Sequence, residues 1–166
     1  MKKIAVIGTG LSALSLAYHL PALDITFFEK SWRPGGRIST RKHNQYAFDH
    51  GAHYLKLDHG VIGLNEYLNK IDAIKILKGQ FCSNILQNSP IEDKEIIVGK
   101  EGNESIPVNI HKSLHYPTYF SKQITSIETM NKEYYLIAGE ERFGPFGHSF
   151  CSMRFDQCKT RLAEDS

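Results

Sequence analysis

Residues 6–13 read VIGTGLSA. Gly8, Gly10 and Ala13 form the pattern G-x-G-x-x-A between an apolar run, Lys3–Ile7, and a stretch with helical spacing, Leu11–Leu20. In that setting each small residue has a task. Gly8 lets the chain turn sharply, Gly10 clears space for a pyrophosphate to approach the backbone, and Ala13 lets a helix pack close to a sheet. The anion then sits on free amides at the positive end of the helix, and Ser12 adds a hydroxyl. Alone, the pattern also fits a tight glycine turn, so the neighbouring residues must decide.

Lys3–Ile7 is rich in β-branched residues and reads as a buried strand. Leu11, Leu14, Ala17 and Tyr18 share one helical face, and Pro21 stops the helix. Asp24–Glu29, DITFFE, reads as a second strand. Strand, helix and strand in this order predict a βαβ unit, with the right-handed crossover such units favour. Glu29 lies about twenty residues beyond Gly8, where an acid accepts hydrogen bonds from ribose hydroxyls. An acid there also repels a 2′-phosphate, which argues against NADP.

The next segment, residues 30–41, reads KSWRPGGRISTR. A domain that holds only NAD has no need of a second glycine pair flanked by arginines. FAD is longer and reaches further across a fold. A second glycine pair would let backbone approach it, and an arginine there would pair with pyrophosphate or flank the flavin as a planar donor. The loop therefore shifts the expected cofactor from NAD towards FAD.

Composition is compatible with this reading. The chain has 166 residues, a formal net charge of +2, 41% hydrophobic and 23% charged residues. Such a length suits one domain burying roughly 70% of its unfolded surface. The charge balance gives no case for nucleic acid, and no apolar run approaches the roughly 20 residues of a membrane span. MKKIAVIGTGLSALSLAYHL imitates a signal peptide, but its patterned glycines and the lack of a cleavage-type ending argue against one. Cys82, Cys151 and Cys158 fit free thiols in a reducing, cytoplasmic setting.

Further along, Tyr46–Leu57 is mixed, with short extended pieces around DHGAHY. Gly60–Ile71 reads as a helix with Ile62, Tyr67 and Leu68 towards a core. Ala73–Leu77, Phe81–Leu86 and Lys94–Val98 read as three strands. Ser105–Leu114 reads as a helix, with Pro107 tolerated in its first turn. Gln123–Met130 and Glu133–Ala138 alternate as a hairpin turning at Asn131-Lys132. The predicted fold class is α/β: a Rossmann-like, FAD/NAD(P)-binding βαβ domain with an added β-hairpin segment.

In order, GTGLSA, FFEK, GGRIST and DHGAHY resemble the N-terminal half of renalase-like, amine-oxidase-type FAD-dependent oxidoreductases. IIVGKEGNESIPVNIHKSL and QITSIETMNKEYYL are similar to later pieces of that family. The resemblance implies FAD as cofactor and hydride transfer from an amine or a reduced nicotinamide-like compound, with reoxidation by oxygen. It implies that Gly8, Gly10, Leu11, Ser12 and Ala13 line the pyrophosphate and that Glu29, with Lys30 beside it, holds the ribose. Gly36 and Arg37 would hold the flavin side, His53 and Tyr54 would reach the isoalloxazine, and Ile124 would meet the adenine region through its backbone. His53 replaces the family's usual glutamine, bringing an imidazole that titrates near neutral pH. No catalytic residue is singled out.

The resemblance covers residues 1–140, the expected FAD-binding domain; residues 141–166 form an atypical tail. Gly147, His148 and Ser149 stand where the resemblance implies branched apolar residues, and Arg154 where it implies a proline. A central strand written this way is poorly specified. Family members are longer, so the chain is expected to be a truncated or frame-disturbed form. The alternatives are an FAD-binding module without turnover, or a subunit completed by a separate chain. An incomplete sheet leaves an edge and an apolar face, which favours self-association or a complementing chain.

Other residues invite weaker readings. His50 and His53 have a spacing that metal sites use, but on an irregular segment they read better as cofactor-loop or surface histidines, so no metal is expected. Asp49 is expected to fix the turn into GAHY. Cys151 and Cys158, two turns apart if helical, would share a side. Tyr116, Tyr119, Tyr134 and Tyr135 read as packing aromatics. Trp32 reads as a shield of the cofactor loop or a surface staple.

Overall fold

Lys3 lies beside Asp24 and Ile7 beside Phe28 in two parallel, in-register strands, β1 (Lys3–Ile7) and β2 (Asp24–Phe28). Between them in the chain runs helix α1 (Leu11–His19), which buries Ala13, Leu14 and Ala17. This is the βαβ unit expected from the sequence. The structure, a computed structural model, describes residues 3–56, 64–82, 91–151 and 159–162.

The next elements are β3 (Thr40–His43), β4 (Tyr46–Asp49), β5 (Leu55–Lys56), α2 (Leu64–Lys70), β6 (Ile74–Cys82), β7 (Ile91–Gly99) and α3 (Ser105–Leu114). After them come β8 (Thr118–Tyr119), β9 (Ser126–Met130), β10 (Glu133–Ala138), β11 (Glu141–Phe146), β12 (His148–Cys151) and β13 (Lys159–Leu162). The chain divides into two units, one of residues 1–36 and 111–166 and one of residues 37–110.

Among the described residues the first unit holds two sheets. In one, the strand order is β12-β1-β2-β8, and every pairing is parallel. In the other it is β11-β10-β9-β13; β9–β10–β11 are antiparallel, and β13 joins β9 in parallel. The core is built from Ala5, Ile7 and Phe28 of the first sheet and Ile124, Ile127, Leu136, Ala138 and Phe146. Phe28 sits at its centre, stacked on Tyr119 and edge-on to Phe143 and Phe146. Truncating such a buried phenylalanine to alanine costs about 3–5 kcal/mol. The second unit holds the β3–β4 hairpin and a three-stranded sheet in the order β5-β7-β6.

Several expectations change. Ala73–Leu77 and the start of Phe81–Leu86 are one strand, β6, paired with β7 from Ile74↔Gly99 to Cys82↔Ile91. Lys78-Gly79-Gln80 is polar; the paired strands are solvent-exposed there, so the ladder continues without apolar alternation. Residues 83–86 lie outside the described residues, as does the first part of the expected helix Gly60–Ile71. Its remainder, α2, carries Leu68 into a buried position. Strand β3 was not expected at all. The expected helix Ser105–Leu114 is present as read, and the hairpin turns at Asn131-Lys132 as expected, with its first strand beginning at Ser126 rather than Gln123.

The tail also differs from expectation. β11 extends the hairpin by a third strand, and residues 148–151, expected to be poorly specified, form β12 in register with β1 from Ile4↔His148 to Ile7↔Cys151. The amide of Gly147 donates to the carbonyl of Lys3 at 2.9 Å. His148 and Phe150 are exposed while Ser149 and Cys151 are half-buried, so the strand needs no continuous apolar run. Cys151 is therefore on a strand, not on a helix shared with Cys158, which lies outside the described residues.

Candidate functional site

Gly8 follows β1 with φ of 96°, a left-handed conformation that favours glycine, and its amide donates to the Phe28 carbonyl at 2.7 Å. The chain turns there from strand to helix. Gly10 is the N-cap of α1, with φ −73° and ψ 170°. It offers no side-chain cap, and the first helical turn carries no acid. The amides of that turn lack partners within the helix, an arrangement that suits an anion at its positive end. Leu11 and Ser12 of this turn are half-buried and exposed, while Ala13 is fully buried.

Gly10 poses a specific question. Its backbone conformation suits any residue, and a β-carbon built on it meets no described atom within 4 Å. Neither strain nor the chain's own packing asks for glycine. A ligand that needs close approach to the backbone does, so the loop fits a pyrophosphate-bearing cofactor.

The second glycine segment lies against the first. Gly35 bridges Gly10, and its amide donates to the Thr9 carbonyl at 3.3 Å. Gly36 has φ of 65°, and a β-carbon there would stand 3.3 Å from the Gly10 Cα. Nearby, the Arg33 guanidinium covers the exposed Trp32 ring at 4.7 Å, so Trp32 lies on the surface.

Glu29, directly after β2, is only 5% exposed. Its Oε2 accepts from the Thr9 amide at 2.8 Å and the Thr9 hydroxyl at 2.7 Å, and its Oε1 accepts from the Ser31 amide at 2.9 Å. Its backbone is anchored from the other side, donating to the Tyr119 carbonyl and accepting from the Lys122 amide, both at 2.9 Å. The acid of β2 is thus tied directly to the first glycine loop. Lys30 beside it is exposed. Ile124 has its side chain in the core of this unit.

Arg37, His53 and Tyr54 belong to the second unit, where all three are exposed. The Arg37 carbonyl accepts from the Ala52 amide at 3.1 Å, and a β-carbon on Gly51 would collide with that same carbonyl oxygen. This explains the glycine of DHGAHY. Asn103, fully enclosed, orders the same segment: its Oδ1 accepts from the Gly99 amide at 2.7 Å and its Nδ2 donates to the Ala52 carbonyl at 2.8 Å. Asp49 does not cap the turn into GAHY. Its Oδ1 accepts instead from the Asn103 amide at 2.9 Å and from the Thr40 hydroxyl. His50 meets the Ser39 hydroxyl at 3.2 Å.

Sequence reasoning passed over two residues of this arrangement. Thr9 occupies an open position of the glycine pattern, so the pattern gave no signal. Asn103 sits in a turn where asparagine is unremarkable; only its partners reveal its part. Among the described residues no group of three or more His, Cys, Asp or Glu side chains is placed to hold a metal, and no helix is long and apolar enough to cross a membrane.

Comparison with known proteins agrees with this geometry. Residues 6–69 match the family of NAD(P)-binding Rossmann-like domains. Over 54 residues the chain is 43% identical to coproporphyrinogen III oxidase of Staphylococcus aureus, covering 30% of this chain and 12% of that protein. Over 53 residues it is 40% identical to protoporphyrinogen oxidase 2 of Arabidopsis thaliana, covering 31% of this chain and 10% of that protein. Wild-type putrescine oxidase bound to putrescine has the same fold with a TM-score of 0.72 at 10% identity, over 96% of this chain and 60% of that one. The chain thus matches only part of the length of each. It contains an NAD(P)-binding Rossmann-like segment, is homologous over about 54 residues to porphyrinogen oxidases, and shares its fold with putrescine oxidase.

Proposed function

We propose that this chain holds FAD as part of an oxidoreductase of the renalase or amine-oxidase type. The observation that carries the reading is Gly10, whose missing side chain the protein's own packing and conformation do not require. In this reading Gly8, Gly10, Leu11, Ser12 and Ala13 receive the pyrophosphate on helix amides, and Glu29, with Lys30 beside it, holds the ribose. Gly36 and Arg37 serve the flavin side, His53 and Tyr54 the isoalloxazine, and the backbone at Ile124 the adenine region. When bound, FAD supplies the redox chemistry: hydride uptake from an amine or a reduced nicotinamide-like compound, and reoxidation by oxygen. The protein's share is to bind, orient and exclude water. A cytoplasmic, reducing setting belongs to the same proposal, since three cysteines at loose spacing suit thiols better than a disulfide frame.

A second reading is a binding module without turnover, alone or with a complementing chain. It is favoured by the match of residues 6–69 to NAD(P)-binding Rossmann-like domains, which describes binding and not turnover. Anaerobic addition of amines and reduced nicotinamides to the FAD-loaded protein separates the two. Bleaching of the flavin band supports the enzyme; a loaded protein that no such reductant bleaches supports the module.

A further inference from the structure

Thr9 and Glu29 form a buried pair in which one carboxylate oxygen is fully occupied. An ionised carboxylate oxygen accepts about two hydrogen bonds. Oε2 receives two, from the amide and the hydroxyl of Thr9, at 2.8 and 2.7 Å. Oε1 receives the Ser31 amide at 2.9 Å and keeps a second acceptor direction. The glycine pattern leaves position 9 open, yet the residue there is fully buried and its hydroxyl is committed to the acid twenty positions away.

We propose that Thr9 is a positioning residue for ribose recognition, an inference that rests on the dinucleotide reading above. Its hydroxyl and amide together fix the rotation of the Glu29 carboxylate and so designate Oε1 as the oxygen that takes a sugar hydroxyl. Without the hydroxyl only the amide holds Oε2. The carboxylate then turns more freely, and a preorganised acceptor becomes a loose one. Valine keeps the shape of threonine and deletes the hydroxyl, whereas serine keeps the hydroxyl and deletes a methyl.

The test is calorimetric titration of the full chain and its variants with ADP and with 2′,3′-dideoxy-ADP. Thermal melts establish that each variant is folded, and Thr9→Ala, which removes the same hydroxyl, stands in if Thr9→Val does not fold. Wild type should prefer ADP by about tenfold, the worth of a hydrogen bond to a charged acceptor. Thr9→Val should reduce that preference severalfold, and Thr9→Ser should keep it. A merely structural role would weaken both ligands equally and leave the ratio intact. An unchanged ratio in Thr9→Val, loss of the ratio in Thr9→Ser, or ADP binding by wild type with no preference overturns this proposal alone. Failure of wild type to bind both ADP and FAD overturns the dinucleotide reading and this proposal with it.

Discussion

A β-carbon on Gly36 would stand 3.3 Å from the Cα of Gly10, so two glycine segments far apart in the chain meet backbone to backbone. The two glycines nevertheless differ in what requires them. Gly36 is held in the left-handed region at φ 65°, whereas Gly10 has an ordinary conformation and open space at its Cβ position.

That contrast gives a pair of expected outcomes. Gly36→Ala should destabilise the fold by about 1–2 kcal/mol, the cost of a left-handed alanine. Gly10→Ala should leave stability unchanged or raise it by up to about 1 kcal/mol, because it narrows the unfolded ensemble without native strain. Gly10→Ala should still weaken FAD by about tenfold or more. Urea denaturation and FAD titration of both variants check the split; a destabilised Gly10→Ala would mean that packing, not a ligand, requires the glycine.

The two arginines of the second segment should separate as well. Arg33 lies over the exposed Trp32 ring, and removing a surface contact of this kind should leave FAD retention unchanged. Arg37→Ala should lower retention after gel filtration. Equal retention in the two variants would remove Arg37 from its assigned part.

Asn103 satisfies the Gly99 amide and the Ala52 carbonyl at once. Asn103→Ala strands both, at roughly 1–3 kcal/mol for each buried group left unpaired. A loss of about 2–4 kcal/mol in denaturant unfolding is expected. A loss below about 0.5 kcal/mol, typical of surface substitutions, would show that the network does not hold the second unit together.

His111, half-buried at the end of α3, shares a hydrogen bond with the Thr118 hydroxyl at 2.7 Å and packs edge-on against Phe27 and Phe120. Burial pushes its pKa below the ordinary 6.5. A histidine depressed in the folded state binds its proton more readily when unfolded, so its contribution to stability is intact above pH 6.5 and falls as pH drops through 6.5 towards the folded value. Unfolding midpoints between neutral and mildly acidic pH should therefore decline more steeply for wild type than for His111→Gln. Parallel curves would contradict this.

The βαβ unit was legible because its signals agree: β-branched residues in β1, helical spacing in α1, and glycines at the turn between them. β3 was not. Of Thr40, Arg41, Lys42 and His43 only Thr40 is buried, so there is no apolar alternation to read. The remaining signal was Asn44, left-handed at φ 52° in the two-residue connection between His43 and Tyr46. β12 was illegible for a similar reason, since its register with β1 is carried by backbone pairing rather than side-chain type. In the candidate site, Glu29 and both glycine segments could be picked out from spacing. The partners of Glu29 could not, because Thr9 and Ser31 meet it only once the chain has folded.

Whether this chain holds FAD can be read from the visible absorbance of the purified full chain. After incubation with excess FAD and removal of free cofactor by gel filtration, the protein fraction should be yellow, with a flavin band approaching one FAD per chain. A colourless, folded protein after the same treatment would mean that the chain does not hold FAD.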